Sequence, residues 1–111
     1  MSDVLDAAVL DDLIEHIGAD AARAVIELFI AETRELTAAI GATGASRDDV
    51  RRAAHSLKSS AGQIGAAALS ERARAVETAA AADPGLLPSL AANLSDCARE
   101  TEAALTAHLA G

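Results

Sequence analysis

The sequence predicts an all-α protein: an antiparallel up-down-up-down four-helix bundle with a short extra helix at its N-terminal end. Three observations carry that expectation. Hydrophobic residues fill 51% of the 111 positions, aromatics only 1%, and alanine alone exceeds a quarter of the chain. A sandwich or barrel core calls for β-branched and aromatic side chains, whereas alanine is the best helix former and lets helix axes approach closely. Apolar residues recur at helical spacing through five segments. The connections between those segments are short, which makes successive helices antiparallel neighbours. At this length the chain is a single domain, residues 1–111, with one core.

The first segment spans residues 7–17. Asp6 is placed to cap it, Leu10, Leu13, Ile14 and Ile17 form its apolar side, and Gly18 stops it. His16 lies in the last turn of its helix, where a histidine interacts favourably with the C-terminal dipole, and His108, in the final turn of the last helix near the edge of its apolar stripe, is expected to be structural. The second helix is expected from about 21 to 41, with Asp20 as N-cap and an inner stripe of Ala22, Val25, Phe29, Thr33, Leu36 and Ile40, widened by Ile26 and Ile30. Gly41 and Gly44 end it and make the turn. Ser46 and Asp49 fit a capping box that opens the third helix, which ends near Gly65. The fourth, about 67 to 82, turns Leu69, Ala73, Val76 and Ala80 inward, and Asp83-Pro84-Gly85 is turn chemistry. The last begins between Pro84 and Pro88 and runs to about 109, with Leu87, Leu90, Leu94, Cys97, Thr101 and Leu105 inside.

One cysteine excludes an internal disulfide and makes Cys97 a small buried hydrophobe. The N-terminus is acidic and lacks the apolar run of a signal peptide, and no stretch is long and apolar enough to span a bilayer, so a soluble cytoplasmic protein is expected. A net charge of −8 argues against nucleic acid as a partner. Yet Arg47, Arg51, Arg52, Lys58, Arg72 and Arg74, six of the nine basic residues, fall in one window of the sequence. They surround His55 in sequence, as a basic patch or as ordinary solvated helix charges.

On the third helix Val50, Ala54, Leu57, Ala61 and Ile64 share a narrow stripe, and His55 lies roughly 140° from its middle, pointing outward. Ser59 and Gly62, one and two turns further on, are so small that the imidazole stands on a nearly bare ledge, flanked by Lys58. An exposed imidazole with open space around it and a cation beside it has the character of a reaction site.

The stretch His55-Ser56-Leu57-Lys58-Ser59-Ser60-Ala61-Gly62-Gln63-Ile64-Gly65 resembles the signature of histidine-containing phosphotransfer (HPt) domains. His55, Leu57, Lys58 and Gly65 match that signature, and the resemblance continues through Leu69 and the Val76-Glu77 pair. It departs at Ser59, where many members carry glycine; serine is the next smallest choice. The resemblance implies that His55 takes a phosphoryl group from the phospho-aspartate of a receiver domain and returns it to a second receiver. Lys58 would then stabilise phosphoryl charge, and Arg51, Arg52, Ser59, Gly62 and Gln63 would belong to the docking surface. Partners would be receiver domains of response regulators or of a hybrid histidine kinase, met by a monomer. No cofactor is expected on the chain itself, the Mg²⁺ belonging to the receiver. With no ATP-binding segment, the chain is not expected to act as a kinase, and whether it counts as an enzyme is left open.

Glu77 sits about 80° from the centre of its helix's apolar stripe, flanking the interface with the His55 helix. In HPt domains this position resembles one that hydrogen-bonds the histidine ring, which would fix the proton on Nδ1 and leave Nε2 as nucleophile. Pairing of Glu77 with Arg72 or Arg74 is the alternative. Three other readings of the chain stand beside the phosphorelay one. A di-metal bundle needs Glu-x-x-His pairs, and no histidine here has a Glu three residues before it, so no metal is expected. The phosphoacceptor hairpin of sensor kinases usually has an acid directly after its histidine and a proline soon after; Ser56 follows here, and no proline comes before Pro84. A non-catalytic scaffold bundle would leave His55 an ordinary surface residue.

Overall fold

The computed structural model describes residues 4–110, in which every regular element is helical: α1 (Ala7–Ile17), α2 (Ala19–Gly41), α3 (Arg47–Ile64), α4 (Ala67–Ala82) and α5 (Leu87–Ala110). A single 3₁₀ turn, Pro84–Leu86, leads into α5. Each long helix packs on the next in chain order, and α5 closes the ring onto α2. The most extensive contact is between α3 and α4, and α1 lies across one end against α2 and α3.

Capping chemistry sets the boundaries. Asp6 accepts the N–H groups of Ala8 and Val9 at the start of α1. Ser46 Oγ accepts the Asp49 N–H at 3.0 Å, the forward half of the expected capping box. The start of α2 differs from the expectation that Asp20 caps it at about 21. Gly18, at φ 87°, ends α1 by donating to Ile14 O and starts α2 by accepting from Ala22 N–H. One glycine therefore joins the two helices, and Asp20 sits inside the first turn, where its charge still complements the helix dipole.

The core follows the stripes closely on α3 and α4. Val50, Ala54, Leu57, Ala61 and Ile64 are all buried, as are Leu69, Ala73, Val76 and Ala80, joined by Ala79. On α2 the buried set is Ala22, Ile26, Phe29, Thr33 and Ile40, so Ile26 rather than Val25 lies at the centre. Val25 and Ile17, both expected inside, are 40% and 41% exposed. On α5 burial begins at Leu94; Leu87 and Leu90 pack only at the rim of the core. Among the described residues, no helix is long and apolar enough to cross a membrane.

Candidate functional site

His55 stands in the middle of α3 with 59% of its side chain exposed, one position after the buried Ala54. Packing of α3 on α4 brings Glu77, 22 residues away, to its level. The His55 Nδ1–H donates to Glu77 Oε2 at 2.7 Å; a carboxylate only accepts, so a proton lies on Nδ1, and in the neutral imidazole the lone pair is then on Nε2. Lys58, one turn along α3, donates its Nζ to the other oxygen, Oε1, at 2.8 Å. Glu77 is the least exposed member, at 20%, so one half-sheltered carboxylate holds both an imidazole and an ammonium.

The Lys58 hydrogen bond holds the Glu77 carboxyl below its ordinary value; partial burial opposes this, and the His55 hydrogen bond adds to it. A carboxyl lowered by folding contributes stability above the usual glutamate range and loses it as pH falls through the folded value. Glu77→Gln is therefore expected to cost about 1 kcal/mol at neutral pH. That difference from the native protein should close as pH falls through the lowered Glu77 value, below which both carry a neutral side chain. Urea unfolding followed from neutral pH into the acid range measures it.

The surroundings correct the expected basic patch. Arg51 and Arg52 lie beside His55 on α3, but both pair with Asp48, each at 2.9 Å. Arg47 Nε and Nη2 donate to the carbonyls of Ala80 and Ala81 at the end of α4. Arg72 reaches Asn93 on α5, and Arg74 bonds Glu71, so neither joins the cluster nor pairs with Glu77. Closeness in sequence had grouped cations that different faces of α4 carry apart. The positive ground around His55 is thus Arg51, Arg52 and Lys58, each already matched to an acid.

The small-residue ledge is present: Ser59, Gly62 and Gln63 are all exposed. Gln63 and Ser60 line a shallow recess with Val25, Leu28 and Ile64, and Leu28 is 72% exposed. An apolar strip of α2 therefore adjoins the ledge, which the helical pattern alone had assigned partly to the core. Two further contacts escaped the sequence reading. Ser70 Oγ–H donates to the Lys58 carbonyl at 2.9 Å, and Gly65 carries the α1 crossing through a 2.6 Å bond from Asp6 N–H to its carbonyl.

A helical bundle that presents an exposed imidazole in mid-helix, backed by a carboxylate on the neighbouring helix, has the arrangement expected of a protein that carries phosphoryl groups on histidine. The chain is a member of the Hpt domain family, whose model matches residues 24–110. The match includes the whole site and α3 to α5, and leaves α1 outside. Membership implies histidine phosphotransfer in phosphorelays, and interaction with receiver domains, as the work of the domain. No curated protein and no solved structure matches the chain.

Proposed function

We propose that His55 is the phosphoacceptor: it takes a phosphoryl group from a receiver's phospho-aspartate and hands it to a second receiver. The observation that carries this is the 2.7 Å contact between His55 Nδ1 and Glu77. With the proton held on Nδ1, the free Nε2 lone pair faces outward and attacks phosphorus. The Nε2–P bond forms as the acyl P–O bond breaks, and the aspartate leaves as a carboxylate, so no proton is lost from the nucleophile. The ring gains positive charge in that step, and the Glu77 carboxylate on Nδ1–H stabilises it, as an acid behind a histidine does elsewhere. Reversing the same bond changes returns the group to another receiver. Positioning and charge, rather than covalent help, are what such transfer needs from the acceptor.

Docking uses the ledge of Ser59 and Gly62 with Gln63, the apolar strip of Val25 and Leu28, and the cations Arg51 and Arg52. The receiver brings the acidic pocket and its Mg²⁺; the chain itself needs no cofactor. On this reading residues 1–111 form one domain, an up-down-up-down bundle acting as a cytoplasmic monomer. Its partners are response-regulator receivers or the receiver of a hybrid kinase.

The test is to mix the protein with a receiver phosphorylated by a small-molecule donor and to look for acid-labile, base-stable phosphate on the chain. Its absence with every receiver tried from the same genome would contradict the reading. Lys58 takes part by exchanging Glu77 for the phosphoryl oxygens once they arrive. Lys58→Ala is expected to shorten the lifetime of the phosphohistidine or slow its formation. Because the Lys58–Glu77 pair is partly sheltered, the variant should also lose about 0.5–1 kcal/mol. Rate and lifetime both at the native level would remove Lys58 from the mechanism.

A further inference from the structure

We propose that Ser70, with Arg47, is a positioning residue that sets the axial register of α3 against α4 and so places Glu77 on the His55 ring. The proposal deepens the phosphoacceptor reading and rests on it. His55 is exposed, and among the described residues its side chain has one hydrogen-bond partner, Glu77. Ring orientation therefore depends on where the Glu77 backbone stands along α4. The buried interface between the two helices is built largely from Ala54, Leu57, Ala61, Leu69, Ala73 and Val76, whose contacts are small and non-directional.

Besides the bonds of His55 and Lys58 to Glu77, directional contacts between the helices lie on either side of the site. Among the described residues, side chains of α3 and α4 reach the other helix's backbone at two places. Arg47, at the start of α3, holds the carbonyls of Ala80 and Ala81 at 3.0 and 3.2 Å. Ser70, in the first turns of α4, holds the Lys58 carbonyl at 2.9 Å. His55 falls between Arg47 and Lys58 on one helix, and Glu77 between Ser70 and Ala80 on the other. The catalytic pair is bracketed.

Ser70 is the stiffer of the two pins. Its hydroxyl is one bond from Cβ, whereas the Arg47 guanidinium ends a long flexible chain. Gly62 and Ser70 stand seven residues from His55 and Glu77 in opposite senses, two helical turns along the same row. The position of a Cβ on Gly62 lies 3.6 Å from Ser70 Oγ, so those two residues face each other as His55 and Glu77 do. Gly62 thus serves the α3–α4 contact on one side and the open ledge on the other.

The experiment compares Ser70→Ala, Ser70→Thr and the native chain. Nitrogen-15 NMR of the His55 ring reads the tautomer, phosphoryl acceptance from a charged receiver reads the rate, and circular dichroism reads the fold. Ser70→Ala is expected to keep its helical content, lower the ratio of Nδ1–H to Nε2–H tautomer several-fold, and accept phosphate three- to tenfold more slowly. Ser70→Thr, which keeps the hydroxyl, should restore both. A Ser70→Ala protein with native tautomer ratio and native acceptance overturns the proposal, even if its melting temperature falls, because the residue would then be merely structural. The tautomer is read without any phosphate present, so its outcome is separate from whether His55 is the acceptor; labelling of His55→Gln decides that.

Discussion

A His55→Gln variant is expected to take up no phosphoryl group from a charged receiver and to keep the native helical content. The loss should be complete within detection, because the other two histidines lack what His55 has. His16, although its Nδ1 is also held, by the carbonyl of Asp12 on its own helix, stands at the end of α1 outside the residues that the family model matches, and His108 uses Nε2 on Asp11, occupying the nitrogen a phosphoryl group would need. Stability should change by less than about 0.5 kcal/mol beyond the release of Glu77, since an exposed side chain contributes little to the core. Phosphate on this variant at the native level would assign the chemistry elsewhere. A non-catalytic scaffold requires instead that the native protein take up no phosphate either.

The second large effect is at Gly65, where Gly65→Ala is expected to cost about 3 kcal/mol or more. Gly65 closes α3 in the left-handed region at φ 84°, which alone costs a residue with a Cβ about 1–2 kcal/mol. A Cβ there would also sit 2.7 Å from the Asp6 carbonyl oxygen, 3.2 Å from Val9 Cβ and 3.3 Å from Leu10 N. Overpacking against backbone adds about 1–3 kcal/mol. For a chain of this size the melting temperature should drop by roughly 10 °C or more. Gly65→Asn separates the two causes, since asparagine tolerates the left-handed conformation but keeps the clash. An alanine variant that melts with the native protein would show that the α1 crossing does not press on Gly65.

That glycine illustrates what the sequence did and did not disclose. Its place in the phosphotransfer signature was visible, and its role as a helix stop could be read from the pattern. The approach of α1 over it could not, because nothing in the local sequence says which distant backbone arrives there. The same distinction runs through the fold. On α3 the apolar positions are few and well spaced, so the stripe had one solution and all five members are buried. On α2 Val25, Ile26, Leu28, Phe29 and Ile30 crowd one region, and a shift of one position turns the stripe by about 100°. Tertiary packing chose Ile26 and left Val25 and Leu28 outside, beside the ledge.

At the site, the exposure of His55 followed from periodicity alone, and the Glu77 contact from resemblance together with an interface that both residues flank. The sharing of that carboxylate with Lys58, the pairing of Arg51 and Arg52 with Asp48, and the dispersal of Arg72 and Arg74 depend on rotamers and on interhelical register. Charge counted along the chain cannot supply either. Ser70 shows the limit clearly: as a serine near the start of an alanine-rich helix it carries no local signal, and only the juxtaposition with Gly62 and Lys58 gives it a task.

The measurement that tests the central claim most directly is the position of the phosphoryl group on the ring itself. The native protein, labelled with nitrogen-15 at histidine, is charged by a phosphorylated receiver, and phosphorus–nitrogen coupling is read by NMR at neutral or mildly alkaline pH. The account predicts a single phosphohistidine, at His55, with phosphorus on Nε2 and the proton still on Nδ1 against Glu77. Phosphorus on Nδ1 of His55, or on His16 or His108, would contradict it.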